Sequence, residues 1–424
     1  MIIDFTVKNF RSIKNEQLFS MYADKKPKHH AGNISYIDKS IGILKTAAIY
    51  GSNASGKSNL IMAFEALREL VIESGDWKDG DEIDCYHPYL LSKSTSTQPT
   101  EFELEFFVKN NRYRYFIEFN SESILFEKLD IFLTSRPTNL FTRTADDWKN
   151  VKFSDAYKGG KKQIAFFKNN SYLSKAGNTP DSPEMARDVF NYFRKNTETL
   201  LRDQSLNIID WELDTYTKAA VNHFLTEADF GINKFEIEKR EVPKNLPFPA
   251  SMPDDLRKAL LNDLSKKECF YHESDDGELI RFTSNMESTG TNRLFKMLPI
   301  FIEVLKDGSV LFIDEIESSF HPHLAELLIK IFNDAVVNVN NAQLIFTTHD
   351  LSLMSSTLLR KDQIYLTEKT VENGSEYRCL EDFDSSLKDN SPFSKWYNEG
   401  KLGGIPKINY LEITSKIKEV LNNA

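Results

Sequence analysis

Several things are scarce in this chain of 424 residues, and each scarcity excludes something. Cysteine is rare: Cys85, Cys269 and Cys379 are scattered, and none sits in a C-x-x-C pair. A zinc ribbon or a disulfide framework therefore has no basis, and free thiols in a reducing compartment are expected. Long apolar runs are missing. Ser309-Val310-Leu311-Phe312-Ile313 is followed at once by two acids, whereas a membrane helix needs about 20 apolar residues. Met1-Ile2-Ile3-Asp4-Phe5 lacks the basic start and apolar stretch of a signal peptide. A cytoplasmic protein with no membrane partner is expected. Excess positive charge is also absent: 53 Lys and Arg face 63 Asp and Glu, a net charge of −10. That argues against non-specific coating of nucleic acid but leaves room for a local basic groove, so nucleic acid stays open as a partner. His29 and His30 adjoin each other without a third ligand nearby and read as loop residues. No internal repeat and no sustained heptad run occurs, which excludes a long coiled-coil arm.

The rest of the composition is ordinary for a globular protein, with 40% hydrophobic and 27% charged residues. The length predicts two or three lobes. Within it, Gly51-Ser52-Asn53-Ala54-Ser55-Gly56-Lys57-Ser58 stands between an apolar strand, Thr46–Tyr50, and a helix running to about Glu73. Strand, G-x-x-x-x-G-K-S and helix together make a phosphate loop. Small residues let successive backbone N–H groups face phosphates, and the helix start adds its positive end. Lys57 can reach the β- and γ-phosphates, and the Ser58 hydroxyl can ligate Mg²⁺. ATP with Mg²⁺ is the expected ligand.

The fold expected is α/β: a P-loop ATPase head of mixed sheet with an antiparallel β-meander, carrying an inserted helical lobe. Residues 1–175 hold the first part of the head, 176–230 the helical lobe, and 231–424 the second part of the head with its C-terminal extension. The meander is read from alternation at Phe102–Phe106, Tyr113–Phe119 and Ile124–Phe132, with turns between. Asp275-Asp276-Gly277 predicts a hairpin turn. Asn9-Phe10-Arg11-Ser12 closes the first strand, with Arg11 either turned toward the nucleotide or solvated. The basic loop Tyr157–Lys162 reads as solvated surface, with phosphate-backbone contact as its lesser alternative.

Val310-Leu311-Phe312-Ile313-Asp314-Glu315 is an apolar strand ending in two acids, a Walker B pattern. It predicts Asp314 as a Mg²⁺ ligand and Glu315 as catalytic base for the attacking water. Leu344-Ile345-Phe346-Thr347-Thr348-His349 is a further buried strand, and His349 is a candidate catalytic residue toward the γ-phosphate or the water. Glu287-Ser288-Thr289-Gly290-Thr291 opens a helix and makes a second anion site. Its expected task is to cap, through Ser288 and Gly290, the γ-phosphate of a nucleotide held by another subunit.

Taken together, Asn9–Ser12, Gly51–Ser58, Glu287–Thr291, Leu311–Glu315 and Thr347–His349 resemble the ABC-type ATPases of the SMC/RecF/OLD branch. The resemblance implies two heads sandwiching two ATP molecules, hence a homodimer or higher oligomer. It makes His349 the switch histidine, and Glu317–Pro322 looks like the D-loop region, with His321 and His323 as interface or loop residues rather than metal ligands. The signature Glu-Ser-Thr-Gly departs from a transporter's Leu-Ser-Gly-Gly, and the insertion before it is far longer, so a transporter subunit is the weakest reading. Gln98 is a guess at the Q-loop glutamine. More narrowly, Asn170–Ser174, Asp229–Ile232, Arg360–Tyr365 and Gly403–Pro406 look like the RloA-like stand-alone ATP-binding proteins of bacterial anti-phage, abortive-infection systems. OLD-type relatives continue into a Toprim nuclease. Here the Asp382-x-Asp384 pair lies in a polar, turn-like stretch and reads as surface. The implied function is an ATPase that dimerises around ATP and regulates a separate effector, a nuclease or toxin, in anti-phage defence. The alternative is a RecF/SMC-like repair ATPase that clamps DNA.

Overall fold

The computed structural model of the chain describes all residues except 24–28, 38–40, 145–146, 202–214, 229–230, 243–245, 247, 250–251, 253, 319–320, 384–386, 389, 406–408 and 423–424.

Strand Val310–Ile313 shows why the central sheet has two dry faces. Val310 and Phe312 belong to one apolar cluster, and Leu311 and Ile313 to the other. Strand Thr46–Gly51 alternates in the same way, with Ala47 and Ile49 on one face and Ala48 and Tyr50 on the other. Strands buried on both faces read as continuous apolar runs, and such strands pair in parallel. The sheet has six strands in the order Thr197–Leu200, Val310–Ile313, Gln343–Thr347, Thr46–Gly51, Ile364–Thr370, Gly374–Cys379. The first five are parallel, and the last folds back antiparallel. Gly51, Asp314 and Thr348 therefore leave the sheet at one edge, the carboxyl ends of the strands, where open α/β sheets bind ligands.

Helix Lys57–Ile72 lies between this sheet and a second one. Its Phe64 ring stacks on Phe312 with centroids 4.2 Å apart and meets Phe5 edge-on at 5.9 Å. Phe5 belongs to a seven-stranded antiparallel sheet ordered Lys152–Phe153, Thr138–Arg143, Ile124–Phe132, Asn111–Phe119, Thr100–Val108, Ile2–Lys8, Gln17–Ser20. The expected three-strand meander is its middle. Lys109 and Asn110, both at positive φ, form the tight turn between two of those strands. The Gln343 side chain joins the two sheets: it accepts the Ile2 N–H at 2.6 Å and donates to the Ile2 and Leu44 carbonyls.

The helical segment at 176–230 divides between two neighbours. Helix Glu184–Lys195 packs on Lys57–Ile72, and Thr197–Leu200 enters the central sheet beside Val310–Ile313. Helix Thr215–Glu227 instead packs on helix Thr289–Asp307. The hairpin predicted around Asp275–Gly277 is present, Lys266–Glu273 with Leu279–Thr283, and Lys234–Lys239 extends it to three strands. Asn170–Ser174 proves to be structural. Asn170 donates to the Ser74 and Trp77 carbonyls, and Ser171 caps helix Tyr172–Gly177. Beneath them lies a wholly buried pair, Arg143 and Glu127, 3.7 Å apart. Arg143 donates to the Asn170 and Lys168 carbonyls, and Glu127 accepts the Tyr172 and Leu173 N–H groups and the Tyr115 hydroxyl. Arg360–Tyr365 is structural as well: Gln363 donates to the Thr46 carbonyl at 2.9 Å and accepts from Asn33 at 2.7 Å.

Candidate nucleotide site

Gly56 sets the shape of the phosphate loop. It is the N-cap of helix Lys57–Ile72 at φ +106°, and a Cβ there would lie 2.3 Å from Ser375 Oγ and 2.6 Å from Ser12 Oγ. Only glycine fits. Those two hydroxyls form part of a clamp on the loop. Ser12 and Ser375 hydrogen-bond each other at 2.6 Å, Ser375 donates to the Ser55 carbonyl at 2.5 Å, and Tyr377 donates to the Gly56 carbonyl at 2.6 Å. The Ser55 and Gly56 carbonyls are thereby occupied, and the Ser52 and Ser55 N–H groups bond to the Gly404 and Ser52 carbonyls; the remaining N–H groups of the loop are those a phosphate would meet.

Lys57 folds back over the loop and donates to the carbonyls of Gly51 and Ser52 at 3.0 and 3.2 Å. Burial pulls its pKa down, opposed by the charges of Glu315, Asp314 and Glu317. Ser58 Oγ donates to Asp314 Oδ1 at 2.7 Å, joining the helix start to the end of the Val310–Ile313 strand. The same oxygen accepts from Thr347 Oγ1 at 2.6 Å, and Thr347 in turn accepts the Glu315 N–H at 2.8 Å. Glu315 sits at φ +52°, a conformation L-residues adopt at a cost and one found at functional sites. The strained turn aims its carboxylate along the sheet edge, where His349 Nε2 lies 3.9 Å from Glu315 Oε1. The His349 N–H donates to Glu317 Oε1 at 2.5 Å. Burial, then the nearby Lys57 charge, lowers the His349 pKa and favours the neutral ring, against the pull of Glu317, Glu315 and Asp314. One edge thus gathers Lys57, Ser58, Asp314, Glu315 and His349. Cavities of about 420 and 390 Å³ open on the two sides of Ser52 and Asn53.

Ser288 and Gly290 stand apart from this cluster. Ser288 caps helix Thr289–Asp307, accepting the Thr291 N–H at 3.0 Å, and is exposed. Among the described residues no hydrogen bond or ion pair joins it to Gly51–Ser58. The preceding Glu287 is fixed by His272 Nε2 at 2.6 Å.

A family described as "AAA domain, putative AbiEii toxin, Type IV TA system" matches residues 47–355. The chain belongs to that AAA family. A solved SMC head domain from Thermotoga maritima is similar at 14% identity and a TM-score of 0.42, covering 89% of this chain and 98% of that one. No curated protein matches it by sequence.

Several residues near the site escaped the sequence reading. Ser12 reaches the phosphate loop; its neighbour Arg11 lies over the Phe10 ring, 5.7 Å away, and its N–H donates to the His87 carbonyl. Ser375 and Tyr377 carry no motif and gave no signal, while Thr347 lay in the marked stretch before His349 without its link to Asp314 and Glu315 being visible. Gln98 offers its backbone carbonyl to Asn9 and Tyr86 and lies in the loop beside the first strand. His321 caps helix Pro322–Asn333, and its ring meets His323 at 4.9 Å. Ser319, Phe320, Asp229, Phe230, Asp384 and Pro406 lie outside the described residues. All three cysteines are free and buried. Among the described residues no group of three or more His, Cys, Asp or Glu side chains forms a metal site, and no helix is long and apolar enough to cross a membrane.

Proposed function

We propose that the chain binds ATP with Mg²⁺, hydrolyses it to ADP and phosphate, and couples that cycle to the association of two heads. The 2.7 Å contact between Ser58 and Asp314 carries this reading, because it brings the end of the phosphate loop onto the acid of the Walker B strand. Two hard oxygens side by side suit Mg²⁺, which usually takes few protein ligands and fills its shell with phosphate oxygens and water. When bound, the ion supplies positive charge to the β- and γ-phosphates. The loop N–H groups and Lys57 supply the rest and hold the triphosphate. Glu315 takes a proton from a water as the water oxygen bonds to the γ-phosphorus and the bond to the β-phosphate oxygen breaks. Neutral His349 donates a hydrogen bond to the γ-phosphate.

The helix cap, with Ser288 exposed and Gly290 half-buried, supports the association of heads. A 19-residue helix is about 28 Å long and a four-residue strand about 13 Å. The helix connects through Gly308 to Val310–Ile313, the strand that carries Asp314 and Glu315 at its end; run antiparallel to that strand, its greater length would carry the Ser288 end past the site. There it is open to the nucleotide of a second copy. The matched family's description names a putative toxin of a Type IV TA system, which supports a part in a two-component system; we further propose that the partner of this ATPase is a separate effector, a nuclease or toxin, in anti-phage defence.

ATP titration and phosphate release test the reading. Lys57→Ala should lose ATP binding. Glu315→Gln should bind ATP, release phosphate at least about 100-fold more slowly and accumulate as a dimer. Wild-type turnover by Glu315→Gln removes the catalytic assignment, and no ATP-dependent association removes the two-head model.

A further inference from the structure

The Gly403-Gly404-Ile405 stretch, one of the sequence cues without a role, lies directly against the phosphate loop. The Ser52 N–H donates to the Gly404 carbonyl at 3.0 Å, and the Tyr397 hydroxyl donates to the same oxygen at 2.8 Å. Tyr397 is buried in the last turn of the short helix Phe393–Asn398. Gly404 holds φ +70°, and a Cβ there would stand 3.3 Å from the Tyr397 ring. The segment is therefore shaped to bring one carbonyl to one loop N–H. Tyr397, Asn398 and Ile405 line the cavity that contains His349, and Ile405 also lines the cavity on the other side of Ser52.

We propose that Tyr397 is a positioning residue for the nucleoside triphosphate site: it fixes the Gly404 carbonyl, which fixes Ser52, and the segment with Asn398 and Ile405 forms a wall of the site on the His349 side. The proposal rests on the ATP reading above. Ser52 is the first residue after Gly51, so its orientation sets the path of the loop whose later N–H groups face phosphate. A carbonyl held by two donors keeps its direction; one held by Ser52 alone follows the loop. Among the described residues no hydrogen bond joins Tyr397 to Glu315; its hydroxyl goes to Gly404. Its loss affects how well the loop is formed before nucleotide arrives.

Tyr397→Phe, which keeps the ring, tests this. The ATP Kd and KM should rise about three- to tenfold, the worth of one buried hydrogen bond, with kcat and melting temperature near wild type. Without nucleotide, amide exchange in the 50–58 peptide should quicken. Unchanged Kd and unchanged exchange overturn the proposal. So does a fall in kcat at constant KM that tracks a lower folded fraction, the mark of a merely structural tyrosine. Lys57→Ala, run alongside, separates the two readings. If wild type and Lys57→Ala both fail to bind ATP, the ATP reading falls and this proposal falls with it. If only Lys57→Ala fails to bind and Tyr397→Phe behaves as wild type, the positioning role alone falls.

Discussion

The Thr347 hydroxyl links Asp314 to Glu315: it donates to the Asp314 carboxylate at 2.6 Å and accepts the Glu315 backbone N–H at 2.8 Å. The two acids are neighbours in sequence, yet their relative aim is set from the adjacent strand. Thr347→Val removes both bonds and keeps the shape. The expected result is a kcat lowered about tenfold with ATP affinity within about threefold, since the loss falls on orientation for reaction more than on binding. Steady-state phosphate release with ATP titration checks it, and an unchanged kcat shows that the turn holds Glu315 unaided.

The separation of Ser288 from the phosphate loop makes a prediction about mixtures. Ser288→Arg alone should bind ATP as the wild type does and hydrolyse it at least about tenfold more slowly. Mixed with Lys57→Ala, it should regain part of the activity. A mixed dimer rebuilds one complete site, because the Ser288→Arg copy supplies Lys57 and the Lys57→Ala copy supplies Ser288. Phosphate release measured across mixing ratios should exceed the sum of the two variants. Strict additivity would mean that Ser288 serves its own chain or none.

Glu69, on the phosphate-loop helix, predicts a pH dependence of stability. Burial, then the charges of Glu73, Asp84 and Glu65, raises its pKa from 4.5 to about 7. The folded state thus holds a proton that the unfolded state releases above about pH 4.5. Stability from this group is full below that value and is lost as the pH rises to about 7. Glu69→Gln should flatten this decline. Urea midpoints at pH 5 and pH 8 at constant salt test it; the variant should gain relative to wild type at pH 8 and not at pH 5.

The buried Arg143–Glu127 pair should be costly to halve. Arg143→Met leaves Glu127 without its cation and removes the Arg143 bonds to the Asn170 and Lys168 carbonyls, the latter keeping the Ile124 N–H. A loss of about 3–5 kcal/mol is expected. Chemical denaturation gives the value, and a change under about 1 kcal/mol would show that the backbone N–H groups and Tyr115 suffice for the carboxylate.

Residues that the sequence marks by local order are brought together at one sheet edge. The phosphate loop, the apolar strand before Asp314 and Glu315, and the strand before His349 each carry their meaning within ten residues. Thr347 lay in a stretch already marked, but its role depends on the register of two strands, Ile313 against Phe346. Ser12 and Ser375 are 363 positions apart and meet at 2.6 Å over Gly56. Serine at a turn and serine in an edge strand carry no signal alone; the clamp exists only once both sheets are assembled. Asn170–Ser174, a cue only to the narrower family resemblance, holds the end of the phosphate-loop helix to the meander, a task that no local pattern announces.

The hydrogen bond between Ser58 Oγ and Asp314 Oδ1 also makes the head of the phosphate-loop helix and the turn at Glu315 one connected unit. Asp314 Oδ1 accepts from Thr347 as well, and Thr347 receives the Glu315 N–H. A displacement at Ser58 is thereby handed on to Glu315 through two further side chains, so a loop rearrangement and the aim of that carboxylate are mechanically coupled.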